Sequence, residues 1–325
     1  MRRLRALSLP VMSETSCPSL LSAAVVGTGH LGRHHCRILS QLPGVRFVGA
    51  YDSDRGRLAA VAAELGVSTL DDLSAVEQAE AVVVATPTVT HREVAGRLLD
   101  AGCHVLVEKP ITATVAEATE LVALARGRGR VLAVGHVEYH NPAVTAALAV
   151  AEGIRYLETE RLSPFTTRSV DVDVILDLMI HDLQIALAVA GEAPVEVRAV
   201  GIPVLTDKVD LCHAWLEFRS GLVATLTASR VSAERVRKLR LFACDSYFSV
   251  DYAEQTVSAA QLRRHGPRPE IAPREVVVAR REPLAAELEA FVRACRGDAT
   301  GVVDGATGLA ALSAAIRVRE AVESR

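Results

Sequence analysis

The sequence is short of most things that mark a polymer-binding, membrane or disulfide-built protein. One Trp, five Tyr and six Phe in 325 residues leave few rings for base-stacking platforms. Neither sign of charge dominates: 36 Lys and Arg against 39 Asp and Glu leave a net −3, so nothing points to nucleic acid or an anionic membrane as partner. Six cysteines, at 17, 36, 103, 212, 244 and 295, form no C-x-x-C pair. That speaks against a zinc ribbon or a disulfide framework and for a reducing, cytoplasmic setting. No apolar run reaches the roughly 18 residues of a spanning helix, so no membrane insertion is expected. The 50% hydrophobic content, rich in Ala, Val and Leu, excludes disorder and suits helices packed on buried strands.

At the N-terminus, Arg2, Arg3 and Arg5 followed by Ala6 to Met12 faintly resemble an export signal. Ser8 and Pro10 interrupt the apolar stretch, however, and no cleavage site follows. Met12 is an alternative start, and residues 1–21 are expected to be a flexible lead-in.

From Ser22 short apolar runs alternate with helical stretches, the pattern of βαβ units and a parallel sheet. Strands are predicted over Ala23–Val26, Arg46–Tyr51, Ala81–Ala85, His104–Val107 and Val131–Val134. Helices are predicted over Leu58–Leu65, stopped by Gly66, and Val115–Ala125, opened by the capping box Thr114-x-x-Glu117. The fold class is α/β: a doubly wound Rossmann domain over residues 22–142, then an α/β domain over 143–325 with a large, mostly antiparallel open sheet. In the second, Leu211–Arg219 and Leu222–Ser229 alternate around Ser220-Gly221 and read as a hairpin. Further strands are expected at Ile154–Leu162, Val195–Val200, Lys238–Ala243, Tyr247–Asp251 and Glu275–Ala279, and closing helices at Ala285–Cys295 and Thr307–Val322. A large sheet with an apolar outer face needs covering, so a homodimer or homotetramer is expected.

Gly27-Thr28-Gly29-His30-Leu31-Gly32 leaves a strand and opens a helix, and Asp52 ends the next strand. This is the dinucleotide fingerprint: glycines for a tight turn and close backbone approach, a helix N-terminus for the pyrophosphate, a carboxylate for the ribose 2′-hydroxyl. Asp52 repels a 2′-phosphate and so favours NAD over NADP, with Arg55 and Arg57 close by. Thr86-Pro87 and Glu108-Lys109-Pro110 follow later strands and would face the same crevice, as would His91 at the next helix start. Lys109, desolvated beside a cationic nicotinamide, is a candidate to orient or deprotonate a hydroxyl; the plain alternative is a surface lysine. Val174–Ala190 reads as one helix with Asp177 and His181 four apart on one face, a candidate acid/base pair in which the carboxylate holds the imidazole's tautomer and favours its protonated form. No third ligand completes a metal shell, so no metal is expected. His136, Tyr139 and Asn141 border the cleft by topology, and Arg161, Arg168, Asp171 and Asp173 bracket the Asp177 helix. Of these, Arg161 and Arg168 are the candidates to grip an anion.

Taken together, these motifs resemble the glucose–fructose oxidoreductase, inositol dehydrogenase and rhizopine-catabolism (Gfo/Idh/MocA) family over residues 22 to 325. The likeness lies in the glycine motif, Asp52, Thr86-Pro87, Glu108-Lys109-Pro110, Gly135-His136 and Asp177-x-x-x-His181. It implies an NAD(P)-dependent dehydrogenase with Lys109 and His181 beside the nicotinamide, in either order as proton acceptor, and Asp177 supporting them. Val107 to Ile111, Asn141 to Ala143, Asp171 to Asp182, Pro203 to Asp210 and Thr227 to Arg230 resemble in particular its bacterial UDP-N-acetylglucosamine 3-dehydrogenase branch, with Met179 where most of the wider family has glycine. Tyr139-His140 departs from the arginine and phenylalanine of that branch. The branch implies oxidation of a nucleotide sugar at C3, ahead of an aminotransferase, for lipid A. Another polyol such as an inositol or free sugar, an NAD-retaining glycoside hydrolase and an NAD sensor are the competing readings.

Overall fold

A computed structural model describes residues 20–166, 172–264, 268–299 and 301–324. Nearly all of the lead-in lies outside them, as do Arg168 and Asp171.

The first sheet is parallel and has the order β2-β1-β3-β4-β5. Its strands are β1 (Leu21–Val26), β2 (Val45–Tyr51), β3 (Ala81–Val84), β4 (His104–Glu108) and β5 (Leu132–Gly135). All residues of β1, β3 and β5 are buried, as expected of strands covered by helices on both faces. The helices are α1 (His30–Leu39), α2 (Arg55–Leu65), α3 (Leu73–Val76), α4 (His91–Asp100) and α5 (Val115–Arg128). Asp54 caps α2 through the Arg57 amide, and the Thr114–Glu117 capping box opens α5. Strand order reverses between β1 and β3, so the crevice beyond their C-termini is where a ligand is expected.

The second unit begins with α6 (Pro142–Leu148) and β6 (Ile154–Leu162). Residues Ile175–Met179 form a π-helix that runs directly into α7 (Ile180–Ala190). The strands β7 (Glu196–Ile202), β8 (Leu211–Glu217), β9 (Val223–Ser229), β10 (Val236–Ala243), β11 (Ser246–Asp251), β12 (Thr256–Arg263) and β13 (Glu270–Arg274) follow, then α8 (Pro283–Cys295) and α9 (Gly305–Glu323). The sheet order is β13-β12-β11-β10-β6-β9-β8-β7, and β6–β9 is its parallel pair. The β8–β9 hairpin turns at Ser220-Gly221, where Gly221 has φ +83°, a conformation favoured by glycine.

Two expectations fail here. Glu275–Ala279 is extended chain without a ladder partner: Val276 and Val278 alternate because they pack against the second core. The strands at this edge are instead β12 and β13. The single boundary near residue 142 fails for the last helices. Leu288, Phe291 and Val292 of α8 belong to the core of the first sheet. The α9 helix contributes Leu312 to that domain's other core layer and Ala311, Ala315 and Val318 to the second unit's core.

Candidate active site

The glycine turn is fixed by sterics. Gly27 has φ +91°, and a Cβ there would stand 2.5 Å from the Ala85 carbonyl oxygen, whereas a Cβ on Gly32 would stand 1.8 Å from the oxygen of Gly27. Gly29 faces open space, with only the Arg57 guanidinium at 3.9 Å from a built Cβ. A cavity of about 510 Å³ lies in front of it, lined also by Asp52, Arg57, Thr86 and Pro87. The Thr28 amide and hydroxyl donate to Asp52 Oδ2 at 2.7 and 2.9 Å, and the Asp54 amide donates to Oδ1 at 2.8 Å. These bonds aim the carboxylate at the cavity. Open backbone at a helix N-terminus plus a fixed carboxylate fit a dinucleotide with a free ribose 2′-hydroxyl.

A second cavity of about 700 Å³ shares Ala85 with the first; His30, Leu31, Glu108, Lys109, Asp177 and His181 line it. Lys109 Nζ donates to the Asp177 carbonyl at 2.6 Å and to Oδ1 at 3.0 Å. The lysine is therefore held by the π-helix, a wide turn that often occurs at functional sites. His181 makes no hydrogen bond to Asp177. Its Nδ1 is buried without a partner, and its ring meets His136 edge-on at 5.7 Å between centroids. Burial, then the Lys109 ammonium and the Arg161 guanidinium, push the imidazole well below its usual value of 6.5. The expected carboxylate-stabilised imidazolium is thus corrected: Asp177 serves Lys109, and His181 is neutral because it is buried without a carboxylate partner, with Lys109 and Arg161 adding to the effect.

Several candidates hold structure together. The buried His91 ring spans the carbonyls of Thr86 and Pro110 at 2.9 and 3.0 Å, stapling two crevice turns instead of entering the crevice. Arg161 is fully engaged. It forks onto Asp182 with two bonds of 2.8 Å and donates to Glu138 at 2.6 Å, so its charge is spent before any ligand arrives. Asn141 accepts from the Ala143 amide and donates to the Tyr252 carbonyl, which makes it the cap of α6. Asp173 accepts from the amides of Ile175 and Leu176 and so caps the π-helix. Tyr139 turns away into a separate cavity with Leu148, Ile154 and Leu222. His136 is buried, pushed down to about 3 by burial and by Lys109 and His140, and backs His181 without lining the cleft.

Two residues had no place in the sequence reading. Arg237 lines the same cavity as Lys109 and His181; the signal was an arginine in register with Leu239 and Leu241, on the face of β10 that should be apolar. Glu287 of α8 is buried with neither carboxylate oxygen bonded. Burial, and Glu108 facing it, push it well above the carboxylate range, so it is uncharged. Glu108 itself meets His35 Nε2 at 2.7 Å.

A dinucleotide cleft that opens into a pocket with a carboxylate-held lysine and a neutral histidine defines an NAD-dependent oxidoreductase acting on a CH–OH group. Residues 21–136 match the oxidoreductase family with an NAD-binding Rossmann fold, and residues 147–245 match the GFO/IDH/MocA C-terminal domain; the chain belongs to the Gfo/Idh/MocA family. It is 42% identical over 312 residues to the UDP-N-acetylglucosamine 3-dehydrogenase of Acidithiobacillus ferrooxidans, covering 94% of this chain and 98% of that one. A solved structure of that enzyme superposes with a TM-score of 0.86, at 41% identity and the same coverage. The inositol 2-dehydrogenase of Rhizobium meliloti is 28% identical over 93% of this chain and 97% of its own.

Proposed function

We propose that this enzyme oxidises the C3 hydroxyl of UDP-N-acetylglucosamine to the 3-keto sugar, in the cytoplasm and as a homo-oligomer. The observation that carries the reading is the end-to-end likeness to an enzyme of that name, coupled with Lys109 and His181 lining one pocket next to the glycine turn. A ketone at C3 is the functional group that an aminotransferase converts to an amine, so such a partner enzyme, and a 3-amino sugar for lipid A, fit downstream. The exposed Val200, Ile202 and Trp215 on β7 and β8 offer the apolar face for the oligomer.

NAD, when bound, supplies the hydride acceptor. The chain's own residues handle the proton. His181, neutral, has a lone pair to take the hydroxyl proton, which an ammonium lacks. Lys109, its charge held by Asp177, donates to the oxygen as negative charge develops there. Asp52, held in place by the Thr28 amide and hydroxyl, would hold the ribose end of the cofactor.

The test is to mix purified protein, NAD and UDP-N-acetylglucosamine and follow the absorbance of the reduced cofactor, adding an aminotransferase to draw off the ketone if equilibrium hides it. Reduction is expected, and Lys109→Met or His181→Phe should lower turnover by roughly 10²–10⁴-fold with NAD affinity nearly intact. Silence with this sugar but reduction with an inositol or free sugar would reassign the substrate. Glycoside cleavage without net reduction would reassign the reaction.

A further inference from the structure

Three neighbouring strands present an arginine at the cleft end of the sheet face that packs on the helices. Arg161 continues the buried series Leu157 and Thr159 on β6, Arg237 the series Leu241 and Leu239 on β10, and Arg230 follows Leu226 and Ala228 of β9. Two of them have close partners that occupy them. Arg161 is bound by Asp182 and Glu138, and Arg230 turns to Asp210 and the carbonyl of Val172.

Arg237 differs. It lies directly across from Arg161 in the β6–β10 register, an opposition of like charges that is unfavourable unless an anion sits between them. Glu138 is that anion, but it is shared unequally: 2.6 Å from Arg161 and 3.5 Å from Arg237. Among the described residues Arg237 has no closer carboxylate, and its side chain is 42% exposed in the cavity that holds Lys109 and His181. Of the cations lining that cavity, Lys109 and Arg161 are matched at 3.0 Å or less. Arg237 alone can move onto a new anion without stranding a carboxylate, because Arg161 keeps Glu138.

We propose that Arg237 is the substrate-binding residue that grips the diphosphate of the nucleotide sugar, an inference that rests on the function proposed above. A planar guanidinium on a rigid strand matches two phosphate oxygens at once, which a lysine does not. Its place would also keep two anions apart: the N-terminus of α1 would hold the cofactor's pyrophosphate, and Arg237, on the sheet side of the cleft, the substrate's.

The test compares wild type, Arg237→Ala and Arg237→Lys in binding uridine diphosphate and uridine, with KM and kcat for UDP-N-acetylglucosamine. Removing a charge-assisted contact should weaken uridine diphosphate by roughly 10–100-fold in Arg237→Ala, with a smaller loss in Arg237→Lys and uridine unaffected. KM should rise by more than kcat falls. Equal binding of uridine diphosphate by wild type and Arg237→Ala, or equal losses for uridine and its diphosphate, would overturn the assignment while leaving the function in place. A wild type that neither binds uridine diphosphate nor oxidises its sugar would overturn the function, and the assignment with it.

Discussion

The two walls of the cleft solve different physical problems. The cofactor wall is steric: backbone from β1 and α1 must come close to a ligand, and the constraint falls on Gly27 and Gly32, where no Cβ fits. The substrate wall is electrostatic: Arg161, Asp182 and Glu138 are buried and tolerated only because they meet at 2.6–2.8 Å. The first wall is therefore limited chiefly by volume, with Asp52 as its one fixed charge, and the second by the pairing of its charges.

The sharpest way to break the contrast is Gly32→Ala. With the added carbon 1.8 Å from the Gly27 oxygen, the turn must open, at on the order of 4 kcal/mol or more. NAD affinity, read by fluorescence titration, should fall by roughly 10³-fold; an unchanged affinity would mean the turn is not tight. Arg161→Met attacks the other wall and should destabilise the protein by about 3–5 kcal/mol in urea unfolding, since it strands the buried Asp182 and leaves Glu138 only its longer contact with Arg237. The contrast is sharpened by adding Asp182→Asn and Glu138→Gln, which should restore most of that loss; no recovery would show that packing, not charge, holds the wall.

The most gradual effect is in pH. His140 is pushed down to about 4 by burial and then by Arg281 and Arg293, and His136 to about 3, both from 6.5. Above 6.5 both are neutral folded or unfolded and contribute nothing. Below it the unfolded chain takes up protons that the folded one refuses, so stability falls by up to about 1.4 kcal/mol per pH unit for each, down to their folded values. Chemical unfolding at pH 7, 6 and 5 should show this decline, and a flat profile would contradict the buried, neutral histidines.

The same contrast governs what could be read in advance. The glycine turn, Asp52, the Thr114 capping box and the Ser220-Gly221 hairpin are local: each is a few residues whose shape follows from their own chemistry. The substrate wall is assembled from distant segments. Val174–Ala190 is too evenly apolar to reveal that it begins as a π-helix, and the i, i+4 spacing that pairs Asp177 with His181 assumes an α-helix throughout. Partners decide the rest: Arg161 resembles an anion binder until Asp182 and Glu138 are found on it, and Tyr139 is one backbone step from a residue that lines the cleft but points away from it. Glu275–Ala279 alternates like a strand because one side is buried, yet no neighbour supplies the ladder.

The last helix has a consequence for how this architecture can be taken apart. Gly305 and Gly308 of α9 sit against Leu132 and Val134 with no room for a Cβ, while Ala311, Ala315 and Val318 close the other core. A chimera that joins the first 142 residues of one family member to the remainder of another would graft a foreign α9 onto a native β5, mismatching a contact with no slack. Successful recombination must carry β5 and α9 from the same parent, so the heritable module here is discontinuous in the gene although it is contiguous in space.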